Sequence, residues 1–131
     1  MTEIKKLTKI VLIVYTIIFF LFGVMLVFLY DMALNPEGWT NPYLPRMFGG
    51  VNFLSAIFAI LMLRKKEWEE IKLTFVYLLG LLISTLIIEA TVLATLGSTF
   101  GALMIQTGSG TMILESVLLT IGIVSYIKQR S

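Results

Sequence analysis

The chain has 131 residues, 58% of them hydrophobic and 14% charged, with a net charge of +2 and a mean hydropathy of +0.96; a soluble domain of this size needs far more polar surface. It has no cysteine and no histidine, so it forms no disulfide and no thiol redox centre, and it lacks the usual axial ligand of a b-type haem and the commonest metal ligand. No cofactor is expected, nor is nucleic acid, because the basic residues sit at the ends of apolar segments, where headgroups and insertion rules account for them.

A hydrocarbon core of about 30 Å needs about 20 apolar helical residues, and four stretches qualify. The first runs from about Thr8 to Tyr30. Lys5, Lys6 and Lys9 precede it as they would a signal peptide, but its apolar run is longer than an h-region and no small-x-small site follows, so a retained helix is expected. Asn35 to Pro42 then reads as an irregular loop punctuated by Pro, Gly and Asn, with Trp39 and Tyr43 as headgroup-level anchors. The second helix spans about 45–63, with Pro45 in its first turn, where a missing N–H costs nothing. Arg64, Lys65 and Lys66 follow at its C-terminus and Glu67, Glu69 and Glu70 at the next N-terminus, each set complementing a helix dipole, with Trp68 between them as another interface anchor.

The third helix is expected over about 71–96. The uncharged segment from Gly97 to Gly110 reads as a loop that dips into the interface, covers a pocket mouth or simply flexes. The fourth helix covers about 111–127. Nine of the ten Lys/Arg residues fall on one side if the spans alternate, and the positive-inside rule makes that side cytoplasmic. Such a bias argues against the dual topology of small multidrug transporters. The expectation is a single domain over 1–131: an all-α polytopic membrane protein, its four transmembrane helices in an antiparallel bundle with both termini cytoplasmic.

In lipid, helices associate through small residues and interhelical hydrogen bonds. Gly49, Asn52, Ala56 and Ala59 form one stripe on the second helix, and Gly80, Ser84, Thr91 and Thr95 another on the third. Asn52 suits a polar contact between helices better than a ligand contact.

Three charges stand apart from the cytoplasmic set. Glu89 lies seventeen residues above Lys72, Arg46 eighteen from Arg64, and Glu115 thirteen from Lys128. At 1.5 Å per residue these are depths of about 26, 27 and 20 Å, which puts all three in the outer half of the membrane within reach of one another. An ion at the bilayer centre costs about 2.5 to 3.5 kcal/mol and turns toward the bundle or a watery cavity. Thr85 lies one turn from Glu89. One arginine and two glutamates leave an excess negative charge, removable by a proton, a bound cation, a lipid amine or a partner's Lys/Arg. The plainer reading is that Arg46 snorkels to outer headgroups and the acids form a structural pair. Nothing supplies a nucleophile, base and metal set for an enzyme.

Trp39, Pro42 or Pro45, Arg46, Gly49-Gly50, the apolar second helix and the Arg64 to Trp68 turn carry a similarity over residues 38–70. This quarter of the chain resembles small four-helix membrane proteins of prokaryotes of the DoxX-like group. The resemblance implies a four-helix bundle with a functional surface near the outer end of the second helix, and it transfers no activity. The function expected is that of a non-enzymatic accessory or interaction subunit of a larger membrane assembly, with Arg46, Glu89 and Glu115 as its polar site. The alternative is a small transporter or a lipid- or quinone-binding protein using the same cluster beneath the 97–110 loop. Expected partners are the lipid bilayer, other membrane subunits or a second copy, and a lipid or quinone ligand.

Overall fold

The structure, a computed structural model, describes residues 2–29 and 41–131 and is all-α. Its helices are α1 (Lys6–Val27), α2 (Tyr43–Leu63), α3 (Trp68–Leu96) and α4 (Ala102–Arg130), with a short 3-10 turn at Gly97–Thr99. All four are long and apolar enough to cross a membrane. The chain is therefore a multi-pass membrane protein. The expected loop residues 35–40, Trp39 among them, lie outside the described residues.

Two compact units divide the chain, Met1–Ile71 and Lys72–Ser131. In the first, α1 and α2 run antiparallel and pack along their lengths. Phe53 of α2 meets Phe20 edge-on at 5.7 Å and Phe28 at 6.0 Å between ring centroids. Close approach rests on glycine. A Cβ at Gly49 would stand 2.7 Å from Val27 Cγ2 and 3.2 Å from the Val27 backbone nitrogen, and one at Gly23 would stand 2.8 Å from the Phe53 ring. Val11, Leu12, Tyr15 and Phe19 of α1 and Ala56, Ala59 and Met62 of α2 are buried, whereas Ile10, Ile13, Ile17, Leu54, Ile57 and Ile60 stay exposed. Apolar side chains pointing away from the core are what a lipid solvent permits.

Pro42 caps α2 and its carbonyl accepts the Arg46 N–H at 3.0 Å, while Asn41 Oδ1 accepts the Tyr43 N–H at 3.0 Å. Pro45 sits inside the first turn, where no intrahelical acceptor exists for its missing N–H. α2 thus starts two residues before the expected Pro45.

Residues 2–4 run antiparallel to the α2–α3 turn. The Ile4 N–H donates to the Lys66 carbonyl at 2.9 Å and the Trp68 N–H to the Thr2 carbonyl at 2.7 Å, with Glu3 opposite Glu67. Trp68 opens α3, so this strap satisfies one of the helix's orphan amides. Ile4 and Trp68 are each 2% exposed. Trp68 is therefore a buried residue, correcting its expected place as an interface anchor, because the strap takes up its backbone donor and α3 begins at Trp68 rather than Ile71. Beside it Lys65 pairs with Glu70 at 2.9 Å.

In the second unit α3 and α4 form an antiparallel hairpin, with Gly108 against Leu93 near its closed end. α4 begins at Ala102, not near Thr111, so residues 102–110 are helix and the expected 97–110 loop shrinks to 97–101. The physical reason is local. Ala102, Leu103, Met104 and Gln106 are good helix formers, no proline interrupts them, and Gly108 and Gly110 cost only about 1 kcal/mol each against Ala. Most of the segment is thus the first turns of α4 rather than a loop.

Candidate functional site

Both helices of the hairpin carry a regular inward seam. On α3 the buried residues Ile71, Phe75, Leu78 and Leu82 follow alternating four- and three-residue steps. Continued at the same steps, the seam reaches Thr85 and Glu89. On α4 the steps run through Gly108, Glu115, Leu118, Gly122, Ser125 and Gln129, the last five of which are buried. Steps of three and four keep side chains on one helical face. The seam therefore carries each glutamate inward, despite the cost of moving a carboxyl out of water.

The two seams bring the acids together. The Glu115 carboxyl faces both Glu89 and Thr85, all three in the second unit. Thr85 Oγ1 also lies 3.1 Å from the carbonyls of Leu81 and Leu82, which hold its rotamer against its own helix. An ionised carboxylate only accepts hydrogen bonds, so two carboxyls can bond each other only if one carries a proton. Oε2 of each glutamate is buried without a hydrogen-bond partner among the described residues. A buried polar atom left in that state costs about 1 to 3 kcal/mol.

Glu115 lies farther from the start of its helix than a start at residue 111 implied. Thirteen helical residues precede it in α4 and fifteen follow, so it stands near the helix midpoint. It is 8% exposed, while Glu89 is half-buried seven residues before the end of α3.

Arg46 belongs to the first unit, exposed in the first turn of α2. The carboxyl pair faces Thr85 of its own unit. Asn52, also in the first unit, is buried and its side-chain amide donates to the Phe48 carbonyl one turn back at 2.9 Å. Its donor is thus engaged by its own helix. Gly49, Ala56 and Ala59 are buried on the same face as Asn52.

The α3 stripe faces the other way. Gly80 and Glu89 are about two and a half turns apart, which sets them on opposite sides of the helix. Gly80, Ser84, Thr91 and Thr95 are exposed, and a Cβ at Gly80 would meet nothing within 4 Å. Thr91 and Thr95 turn their hydroxyls back onto the carbonyls of Ile87 and Thr91 at 2.8 and 2.7 Å. Thr91 and Thr95 therefore present methyl surface, with their hydroxyls already satisfied.

Buried Ser125 and Gln129 escaped the sequence reading, since neither is charged and Gln129 sits beside the basic end. The seven-residue step from Gly108 to Glu115, repeated from Glu115 to Gly122 and from Gly122 to Gln129, is the signal that finds them. Among the described residues no third His, Cys, Asp or Glu joins the carboxyl pair.

Comparison with protein-family models, curated proteins and solved structures gives no match. The site stands on its own geometry.

Proposed function

We propose that this protein is a non-enzymatic component of a larger membrane assembly, both termini cytoplasmic, whose polar site is the Glu89–Glu115 pair. One observation carries the proposal: two carboxyls face each other within the hairpin while one oxygen of each is buried with no hydrogen-bond partner among the described residues. Such a pair calls for a donor or a positive charge from another molecule, because an orphaned acceptor at this depth has no water to turn to. The bare Gly80–Ser84–Thr91 face supports a second helix packing from outside, as small residues allow backbones to approach.

The cytoplasmic orientation draws support from the nine basic residues on one side and from the strap, which ties the N-terminus to the basic α2–α3 turn. Likeness of residues 38–70 to the DoxX-like pattern supports the protein class and no activity. Gentle extraction from native membranes followed by mass spectrometry of co-purified proteins tests the proposal. A subunit brings a stoichiometric partner, and a chain recovered alone in several mild detergents overturns it.

A second reading, a small transporter or lipid- or quinone-binding protein, is favoured by the inward aim of the pair, since a seam position suits a ligand held within the chain. There Glu89→Gln abolishes ligand retention or coupled flux with the fold intact. Loss of stability without any ligand effect marks the pair as structural.

A further inference from the structure

The end of the first unit where α1 starts and α2 stops carries a second chemistry. The strap hydrogen bond from Ile4 N–H to the Lys66 carbonyl, 2.9 Å long, fastens the start of α1 to the end of α2. It draws Lys5 and Lys6 toward Arg64, Lys65 and Lys66 through the backbone. Among these five, Lys65 is paired with Glu70 and Lys5 has an interaction of its own. Lys6, Arg64 and Lys66 are exposed and form no ion pair among the described residues. The acids nearby are accounted for in part: Glu70 holds Lys65, Glu3 has its own interaction, and Glu67 and Glu69 belong to the α3 start, where a helix dipole favours them.

Position along the spans fixes the level of these cations. Leu7 follows Lys6 and Leu63 precedes Arg64, so each cation stands where an apolar helix meets the polar boundary. That is the level of lipid phosphates. Cations placed there gain about 1 kcal/mol each from an anionic leaflet, and a guanidinium binds phosphate in a bidentate fork.

We propose that Lys6, Arg64 and Lys66, gathered by the N-terminal strap, form a binding site for the headgroup of an anionic phospholipid. The site is independent of the carboxyl pair, which lies in the other unit. The strap is its scaffold, reinforcing the packing of α1 on α2 at the point where the two basic groups meet.

The test uses the full chain in mild detergent, titrated with phosphatidylglycerol or phosphatidylcholine and followed by thermal shift, with bound lipid counted by native mass spectrometry. Phosphatidylglycerol raises the unfolding midpoint and stays bound, and phosphatidylcholine does neither. The variant K6Q/R64Q/K66Q needs about a hundredfold more phosphatidylglycerol for half the effect, each cation contributing about fivefold. The charge-matched variant R46Q/K128Q/R130Q stays within about twofold of the parent. Ile4→Pro removes one of the strap's two hydrogen bonds with no change of charge, so it weakens the preference while helicity is kept. If the triple variant does not fold, Lys66→Gln alone reads the same titration with about a fivefold loss. Equal effects of the two lipids, equal losses in the two triple variants, full preference in Ile4→Pro or displacement by inorganic phosphate alone each overturn the site.

Discussion

Glu115, near the midpoint of α4, faces Glu89 of α3, so two carboxyls from facing helices share one contact. The contact is possible because both residues occupy inward seam positions of an antiparallel hairpin whose partners also include Gly108 and Leu93. It leaves Oε2 of each residue unsatisfied.

Removing one member should hurt more than half of removing both. Glu115→Ala strands the Glu89 carboxyl and is expected to destabilise the chain by about 1 to 3 kcal/mol. In Glu89→Ala/Glu115→Ala the loss falls short of the sum of the singles by at least about 0.5 kcal/mol, as residues in one network couple. Reversible unfolding in mixed micelles measures the cycle.

Glycines of one helix should differ sharply. At Gly49 an added Cβ meets Val27 and Leu26 within 2.9 Å, whereas at Gly50 it meets nothing within 4 Å. Gly49→Ala should cost about 1 to 3 kcal/mol by forcing α1 and α2 apart, and Gly50→Ala should be neutral or slightly stabilising. Thermal unfolding of the two variants side by side checks this.

On α3, Gly80→Ile should leave the stability of the purified chain unchanged, because the site is open, and should reduce partner recovery from native membranes. The two readouts separate a docking face from a folding defect.

Loss of the strap should expose Trp68. In a Trp39→Phe background Trp68 is the sole tryptophan, and deleting residues 2–4 removes its backbone acceptor at Thr2 and the cover of the buried Ile4. The emission maximum should shift to the red, and an unchanged maximum would place the burial of Trp68 elsewhere.

Much of the fold was legible from apolar length alone, since few solutions exist for unbroken runs in lipid. α2 ends at Leu63 and α3 at Leu96 as read, where Arg64 and Gly97 stop the apolar runs. The start of α4 was not legible: Gly97, Gly101, Gly108 and Gly110 look like loop punctuation, yet a glycine between good helix formers in a membrane chain stays helical. That shift moved Glu115 from near a boundary to mid-helix. Depth counting brought Glu89 and Glu115 to one region, but the direction of each side chain comes from the seam, and counting cannot set Arg46 beside them. The strap was hidden because two backbone hydrogen bonds from three terminal residues leave no compositional mark.

The absence of cysteine makes the central contact directly measurable. Glu89→Cys/Glu115→Cys, oxidised mildly in native membranes, should form an intramolecular disulfide readily. Gly80→Cys/Glu115→Cys, with its first cysteine on the opposite face of α3, should not. Rapid cross-linking confined to 89/115 is the outcome predicted here; failure at 89/115, or equal cross-linking at 80/115, would contradict the carboxyl pair.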